Sequence, residues 1–357
     1  MIDIFNARFF VPFTLTAKNK AAVILGDEPL LTLGFTFNDG AESASVDRST
    51  LIQTLSTGEK KALYILNVIF EVEARRKAKQ ETVFVVDDIA DSFDYKNKYA
   101  IIQYLKDIAD EPIFKQILLT HNFDFFRTLN SRFVTYSHCL MSTKTSTAIV
   151  LKQAAGIQNI FVKDWKLHFF KEPKKKIASI PFIRNIIEYT KGDGDPDFIT
   201  LTSLLHLRHD SLTITVGQLD EIFRRLFGSK EKSVSPKRPV IELIQDEAKT
   251  CLTAGAGINF ENKIVLSVAI RLLAEAYMVA KINDPSFVNS ILTNQTAQLL
   301  AQFKAMFADE TAVVDVMMRV VLMTPENIHV NSFMYEPILD MSDEHLRKLY
   351  GDVAALH

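Results

Sequence analysis

Three segments decide the fold of this chain: LSTGEKKAL (Leu55–Leu63), VFVVDDIADSFD (Val83–Asp94) and ILLTHNFDFF (Ile117–Phe126). The second and third segments each begin with a short apolar run of strand-forming residues and then turn polar. Such runs are typical of parallel strands that are buried on both faces. Helical patterns separate the two runs, so the sequence predicts a parallel sheet in an α/β fold.

Helices are predicted on either side of these strands. The first runs from Lys60 to about Lys79, and its apolar residues recur at a spacing that favours a core-facing stripe. A second helix is predicted over Tyr99–Ala109, between the two strands, and a third over Phe123–Leu129. The stripe of the first helix consists of Leu63, Leu66, Ile69, Phe70 and Val72.

The start of the first helix has two readings. LSTGE by itself is a capped helix start, in which Ser56 and Glu59 satisfy each other's backbone groups. The amide groups and the positive dipole end of a helix also suit an anion. Gly58 allows a close approach to the backbone, because it has no Cβ. Phosphate binding therefore stays open beside capping.

In this order and spacing, the three segments resemble the second half of an ABC-type ATPase head, the kind found in SMC-like and DNA-repair ATPases of the AAA family. The resemblance implies that LSTGE is the ABC signature, with Ser56, Gly58 and Glu59 facing the γ-phosphate of ATP. It also implies that DSFD (Asp91–Asp94) is the D-loop, with Asp94 as its closing acid.

The resemblance further implies that Asp87-Asp88 is the Walker B motif. Asp87 would hold Mg²⁺ through water, and Asp88 would polarise the attacking water. His121 occupies the place of the switch histidine. Most heads of this type carry Glu where Asp88 stands, and the shorter side chain holds the carboxylate further back.

The phosphate-gripping half of such a head is missing from the sequence. None of the twelve glycines is followed by lysine, so no G-x-x-x-x-G-K-[S/T] loop occurs. In SMC-like ATPases that half lies upstream, across a long coiled coil. We therefore expect an N-terminal Walker A half, on the same or a separate chain, as partner. We also expect a head-to-head dimer around Mg²⁺ and ATP, and no ATP hydrolysis by this chain alone.

Composition sets wider bounds. The chain has 357 residues, a net charge of −2 and two cysteines, Cys139 and Cys251. Its length allows two domains with cores of their own. The charge argues against wholesale coating of nucleic acid, although a local DNA or RNA contact remains open. Too few cysteines for a disulfide framework, no recognisable signal peptide and no long apolar run favour a cytoplasmic protein without membrane spans.

Domain boundaries follow from composition. Residues 1–155 are predicted as the ATPase lobe, with β segments at Phe13–Ala17 and Leu31–Phe37 and terminal strands at Phe133–Met141 and Thr147–Leu151. Residues 156–357 are predicted as a mainly α-helical domain, with a subdivision expected near 228–240 and a basic linker at Lys171–Lys176. Its predicted helices are Ile177–Thr190, Leu201–Leu207, Val216–Phe227, Ile241–Thr250, Glu261–Lys281, Phe287–Met306 and Ala312–Leu322.

The second domain resembles the region that follows the head in coiled-coil-interrupted ATPases of conjugative plasmids and bacterial anticodon nucleases. The residues that carry this likeness are IPFIRNIIEYT (Ile180–Thr190), LTSLLHLR (Leu201–Arg208), IVLSVAIRLLAE (Ile264–Glu275) and NSFMYEPILDMS (Asn331–Ser342). The likeness implies a sensor or effector domain coupled to ATP, in bacterial defence, including phage defence, or in DNA-linked processes.

Two alternatives stay open for the helical domain. Arg184 and Glu188 are four residues apart and, with His206 or His209, could form an RNA-cutting set like that of anticodon nucleases. The same spacing is also that of an ordinary helix ion pair. A non-catalytic interaction module is the other alternative. A second polar cluster, near the end of the chain, consists of His329, Asn331, Tyr335 and Glu336.

Overall fold

Two compact units, Met1–His138 and Cys139–His357, make up the chain. The computed structural model describes residues 2–27, 32–38, 42–89, 95–144, 146–154, 160–254, 260–325 and 343–357. The fold is mixed α/β, with a small parallel sheet in the first unit and a helical region toward the C-terminus. The sequence-based division near residue 155 stays a prediction.

An antiparallel sheet opens the first unit. Its strands pair in the order β1-β2-β3, and Phe13 lies opposite Phe37. This confirms the predicted antiparallel segment before LSTGE, although the third strand and three short helices were not expected. The elements are α1 (Ile2–Arg8), β1 (Phe13–Ala17), α2 (Lys20–Leu25), β2 (Leu33–Asn38), β3 (Ser43–Val46) and α3 (Arg48–Thr54).

Helix α4 spans Thr57–Ala78 and is the main core helix of this unit. It begins three residues before the predicted start, because Ser56 caps it. Its predicted stripe is buried except for Phe70, which is half-buried. At its C-terminal end Arg75 pairs with Glu71, and Arg76 pairs with Glu111 across to the segment before β5. The basic end of the helix is thus held in ion pairs within the unit.

A parallel pair of strands follows α4. β4 (Thr82–Asp87) and β5 (Phe114–Leu119) are joined through α5 (Tyr95–Ala109), and Asp87 lies opposite Leu119. One face of the pair packs on the core through Phe84, Val86 and Leu118.

The other face of the parallel pair is exposed to solvent. Val83, Val85, Ile117 and Leu119, which we call the exposed sheet face, keep 59, 64, 51 and 48% of their surface accessible. The prediction of strands buried on both faces is therefore wrong for this structure. The physical reason is that the helices described in this unit cover only one side of β4 and β5.

The segment after β5 contains α6 (Phe123–Arg132), a 3₁₀ turn (Tyr136–His138) and the hairpin of β6 (Leu140–Lys144) with β7 (Ile149–Gln153). The strand predicted over Phe133–Met141 begins only at Leu140. The backbone N–H groups of Phe133 and Val134 both donate to the carbonyl of Leu129. They complete the end of α6, and so they do not enter a strand.

The second unit is built around α12 (Phe260–Ile282), most of whose 23 residues are buried. It packs against α8, α11, α14 and α16. The predicted helix Val216–Phe227 is confirmed with its bounds. The other elements are a π-helical turn (Phe161–Trp165), α7 (Lys166–His168), α8 (Pro173–Lys191), α9 (Pro196–Thr202), α10 (Val216–Phe227), α11 (Val240–Cys251), α13 (Pro285–Ser290), α14 (Gln295–Met306), α15 (Thr311–Met323) and α16 (Asp343–Ala354).

Three predictions in this unit need correction. The helix predicted at Leu201–Leu207 is α9, which begins earlier, at Pro196 after the Asp195 cap, and ends at Thr202. After Thr202 the backbone bonds of Leu204 and Leu205 span three residues, as in turns. The helix predicted at Phe287–Met306 is two helices, since Asn294 has a left-handed backbone (φ 50°).

The basic linker is the third correction. Pro173 already begins α8, and Lys176 is buried in an ion pair of 2.5 Å with Asp220. Burial lowers the pKa of Lys176, and the hydrogen bond that Lys176 donates to Asp220 acts in the opposite direction. Among the described residues, no helix has both the length and the apolarity needed to cross a membrane.

Candidate nucleotide site

The carboxyl ends of β4 and β5 place the two predicted catalytic residues together. The strands are parallel and in register to Asp87 and Leu119, so both chains leave the sheet at the same edge. The N–H of Asp88 donates to the carbonyl of Leu119 at 3.0 Å, which extends the pairing by one residue. Ligands of parallel α/β sheets bind at this edge.

Asp88 and His121 are in direct contact at this edge. One carboxylate oxygen of Asp88 accepts the backbone N–H of His121 at 3.2 Å, and the other lies 3.0 Å from the ring Nδ1. Both side chains are open to solvent, at 38% for Asp88 and 74% for His121. Solvent exposure limits the stabilisation from such a pair to about 0–1 kcal/mol, so its main effect is to orient the histidine.

The backbone of Asp88 is left-handed, with φ 46°. Asp and Asn are among the few residue types that adopt this conformation readily. The short side chain then turns back to the loop that follows β5. The departure from Glu at this position thus has a local structural reason.

The loop that carries His121 is fixed by neighbours that the sequence reasoning missed. The N–H of Asn122 donates to Oγ1 of Thr120 at 3.0 Å, and the Asn122 side chain accepts the N–H of Phe125 at 2.9 Å. Asn122 is thus the N-cap of α6. An Asn just before a helical pattern is a known capping signal, and it could have identified this residue.

The environment of the Asp87 carboxylate differs from that of Asp88. It is exposed, and among the described residues its side chain has no hydrogen-bond or ion-pair partner. No group of three or more His, Cys, Asp or Glu side chains in the described part of the chain could hold a metal ion. An unengaged carboxylate fits a hydrated Mg²⁺, which keeps several waters and needs only one or two protein ligands.

Ser56 and Glu59 form a capping box at the start of α4. The N–H of Ser56 donates to the Glu59 carboxylate at 2.8 Å, and the N–H of Glu59 donates to the Ser56 hydroxyl at 3.4 Å. Gly58 lies in the same first turn. Neither Ser56 nor Glu59 bonds to Asp88 or His121, so the predicted site residues form two separate sets. Asp94 of the predicted D-loop lies outside the described residues.

The alternative nuclease set is brought together only in part. Arg184 lies 3.7 Å from Glu188 and donates through Nε to Thr202 at 2.9 Å. Burial lowers the pKa of Arg184. His206 instead pairs through Nδ1 with the buried Glu275 at 2.8 Å, whereas His209 is exposed. The polar cluster at residues 329–336 lies outside the described part of the chain.

Comparison with known proteins bears on the motifs of the candidate nucleotide site. Neither the curated proteins nor the solved structures contain a match to the chain. Residues 37–178 match a family model described as an AAA domain, and this range contains Ser56, Asp87, Asp88 and His121. The match supports an ATPase-type domain of the AAA family over that part of the chain.

Proposed function

We propose that the first unit is one half of an SMC-like ABC ATPase head, which binds and hydrolyses ATP with Mg²⁺ once a Walker A half completes it. The observation that carries this proposal is the contact of Asp88 with His121 at the carboxyl edge of a parallel strand pair. It unites two residues that are 33 positions apart in sequence and that the motif resemblance had selected independently.

Each residue at this edge has a distinct role in the proposal. Asp87 would hold the hydrated metal, which neutralises the charge that develops on the phosphate oxygens. Asp88 orients the water that attacks the γ-phosphate, and the ADP oxygen leaves as that P–O bond breaks. His121 contacts the phosphate, with its ring held by Asp88.

The exposed sheet face supports a completing half. Parallel sheets are almost always covered on both faces, because their crossover helices pack there. Here four β-branched or leucine side chains stay about half exposed on one face. A large contiguous apolar patch usually marks an interaction surface. We therefore place the Walker A half, on the same or a separate chain, against this face.

The separation of the two site sets supports the head-to-head dimer. Ser56, Gly58 and Glu59 begin α4 without touching Asp88 or His121. In a dimer, the helix start of one head can face the nucleotide held by the other. The helical unit would then sense or transmit the closed state, in bacterial defence or DNA-linked processes, as the resemblance implies.

The RNase alternative has less support in the described residues. His206 is held by Glu275, and the remaining pair, Arg184 with Glu188, is the ordinary helix ion pair. A non-catalytic module is the outcome if nucleotide binds the completed head without turnover.

The test is ATP hydrolysis by the chain alone and by the chain with its Walker A half, taken from the upstream reading frame or a neighbouring gene. We expect no turnover alone and Mg²⁺-dependent turnover in the completed head. Asp88→Asn should lower the rate by about 10²–10⁴, since it removes a water-orienting group, while ATP binding stays near wild type. Asp110→Asn, a surface acid of the same unit paired with Lys106, is the matched control.

Two results would contradict the proposal. Robust turnover by the isolated chain would show a complete site that the motif analysis has missed. Wild-type turnover by Asp88→Asn in the completed head would remove Asp88 from the water-orienting role.

A further inference from the structure

An open cleft of about 390 Å³ lies in the helical unit, between the segment after α9, the C-terminal end of α12 and helix α13. Its volume is within the usual range for small-molecule sites, about 300–1,000 Å³. Val279, Val288 and Ile291 contribute apolar surface, and Arg208 and His209 stand at one side. The cleft thus combines apolar side chains with the guanidinium of Arg208.

A buried polar network fixes the wall that carries Arg208. Glu275 is fully buried and accepts the N–H of Leu207 at 2.7 Å and the hydroxyl of Thr296 at 2.5 Å. Gln295, itself 5% exposed and lining the cleft, donates to the Leu207 carbonyl at 2.5 Å and to Glu275 at 2.8 Å. Because both the N–H and the carbonyl of Leu207 are hydrogen-bonded, its backbone cannot shift freely. The cleft is therefore preformed.

Arg208 makes few polar contacts with the rest of the described protein. Within the described part of the chain, its Nε is buried without a hydrogen-bond partner, and its Nη2 donates to the Leu292 carbonyl at 3.3 Å. Among the described residues, no carboxylate lies within ion-pair distance of it, whereas the neighbouring cation Arg184 repels it. A half-buried guanidinium without a counter-charge is unusual, because burying an unpaired charge is costly.

We propose that this cleft binds a small organic anion, whose carboxylate or phosphate group pairs with Arg208 while its apolar body lies against Val279, Val288 and Ile291. The planar fork of arginine matches such oxyanions. Asp284 also lines the cleft, and its carboxylate caps α13 by accepting the N–H of Phe287 at 3.0 Å, so the start of α13 partly compensates its charge. This inference concerns the second unit and is independent of the proposed ATPase function.

The experiment compares two fluorescent probes that differ in their anionic group. 8-Anilinonaphthalene-1-sulfonate carries a sulfonate, and N-phenyl-1-naphthylamine has the same rings without it. Titrated into the full chain, the sulfonate should bind more tightly. Arg208→Gln should weaken its affinity about tenfold or more, by loss of a charge-assisted bond, and leave the neutral probe unchanged. Arg225→Gln, an exposed arginine paired with Asp197 outside the cleft, should change neither.

A second variant keeps the test decisive if Arg208→Gln fails to fold. Ala280 lines the cleft but is exposed, so Ala280→Trp should fill the space without disturbing the core, and both probes should lose their saturable binding. Background binding to the exposed sheet face is removed in all samples with Val85→Asp. Unchanged sulfonate affinity in Arg208→Gln, or unchanged binding of both probes in Ala280→Trp, would overturn the proposal.

Discussion

The parallel strands of the first unit and helix α12 of the second both carry apolar residues on more than one face, yet they differ in burial. Val85 in β4 keeps 64% of its surface accessible, while Val268 in α12 keeps none. Helices pack around α12, whereas in the described part of the first unit helices cover only one side of β4 and β5. The central helix of the second unit is therefore covered within its own unit, whereas the strand pair of the first has the composition of a sheet with two covered faces and only one face covered.

The largest expected effect tests the completeness of the helical unit. Glu275→Ala removes the carboxylate that His206, Gln295 and Thr296 all contact. Leaving these partners buried without an acceptor should lower the free energy of unfolding by about 3–5 kcal/mol. Urea unfolding of this unit can be followed through Trp165, the only tryptophan, which is fully buried.

Glu188→Ala is the matched control for this change, because Glu188 also pairs with a cation but is 43% exposed. It should cost about 0–1 kcal/mol. Similar losses in the two variants would show that the buried network does not hold the unit together.

A pair of isosteric changes compares the two regions directly. Val268→Thr buries a hydroxyl in the covered core and should cost about 1–3 kcal/mol. Val85→Thr places the same hydroxyl on the exposed sheet face and should alter the stability of the isolated chain by less than about 0.5 kcal/mol. Hydrogen exchange of the α12 and β4 amides measures both.

The exposed sheet face also allows a test of association with the Walker A half. Once the Walker A half is present, Val85→Asp should abolish its association, whereas Ile24→Asp, an equally exposed residue of the same unit, should not. Sedimentation of the mixture distinguishes these outcomes. A large loss of stability for Val85→Thr in the isolated chain would show that the face is already covered.

The last pair of changes should lower stability by equal amounts in the two units. Ser56 with Glu59 and Thr215 with Gln218 form capping boxes at the starts of α4 and α10. Ser56→Ala and Thr215→Ala should each cost about 1 kcal/mol, because capping is a local interaction and does not depend on the cover of the sheet. Exchange rates of the first-turn amides provide the measurement. A much smaller loss in α4 would indicate that its cap is already weakened in the isolated unit.

Sequence reasoning was most successful where a local signal and the tertiary contact agree. The two strands and the helix that joins them follow from apolar runs that end in polar residues, whereas Asp88 and His121 were selected through the family resemblance. The burial of Lys176 did not follow from the sequence, because it depends on the contact with the distant Asp220. The break at Asn294 was missed because it rests on the left-handed backbone of a single residue, which leaves the apolar pattern unchanged.

The exposure of β4 and β5 was missed for a related reason. Both strands have the apolar composition of a sheet that is covered on both faces. The sequence does not show whether each covering layer comes from the same unit or from another part or chain. In the same way, the left-handed backbone of Asp88 accompanies a contact with His121, which is 33 residues away in sequence.

The capping box of α4 has a consequence for any phosphate that approaches this helix. The carboxylate of Glu59 already accepts the Ser56 N–H, so negative charge occupies the helix start before a ligand arrives. If a phosphate binds this helix start, as we propose for the completed head, it meets that carboxylate as a competing negative charge. Rotation of Glu59 away from the Ser56 N–H would then favour its binding. Glu59→Gln removes the competing charge and keeps a hydrogen-bond acceptor, so under this proposal it should strengthen phosphate binding.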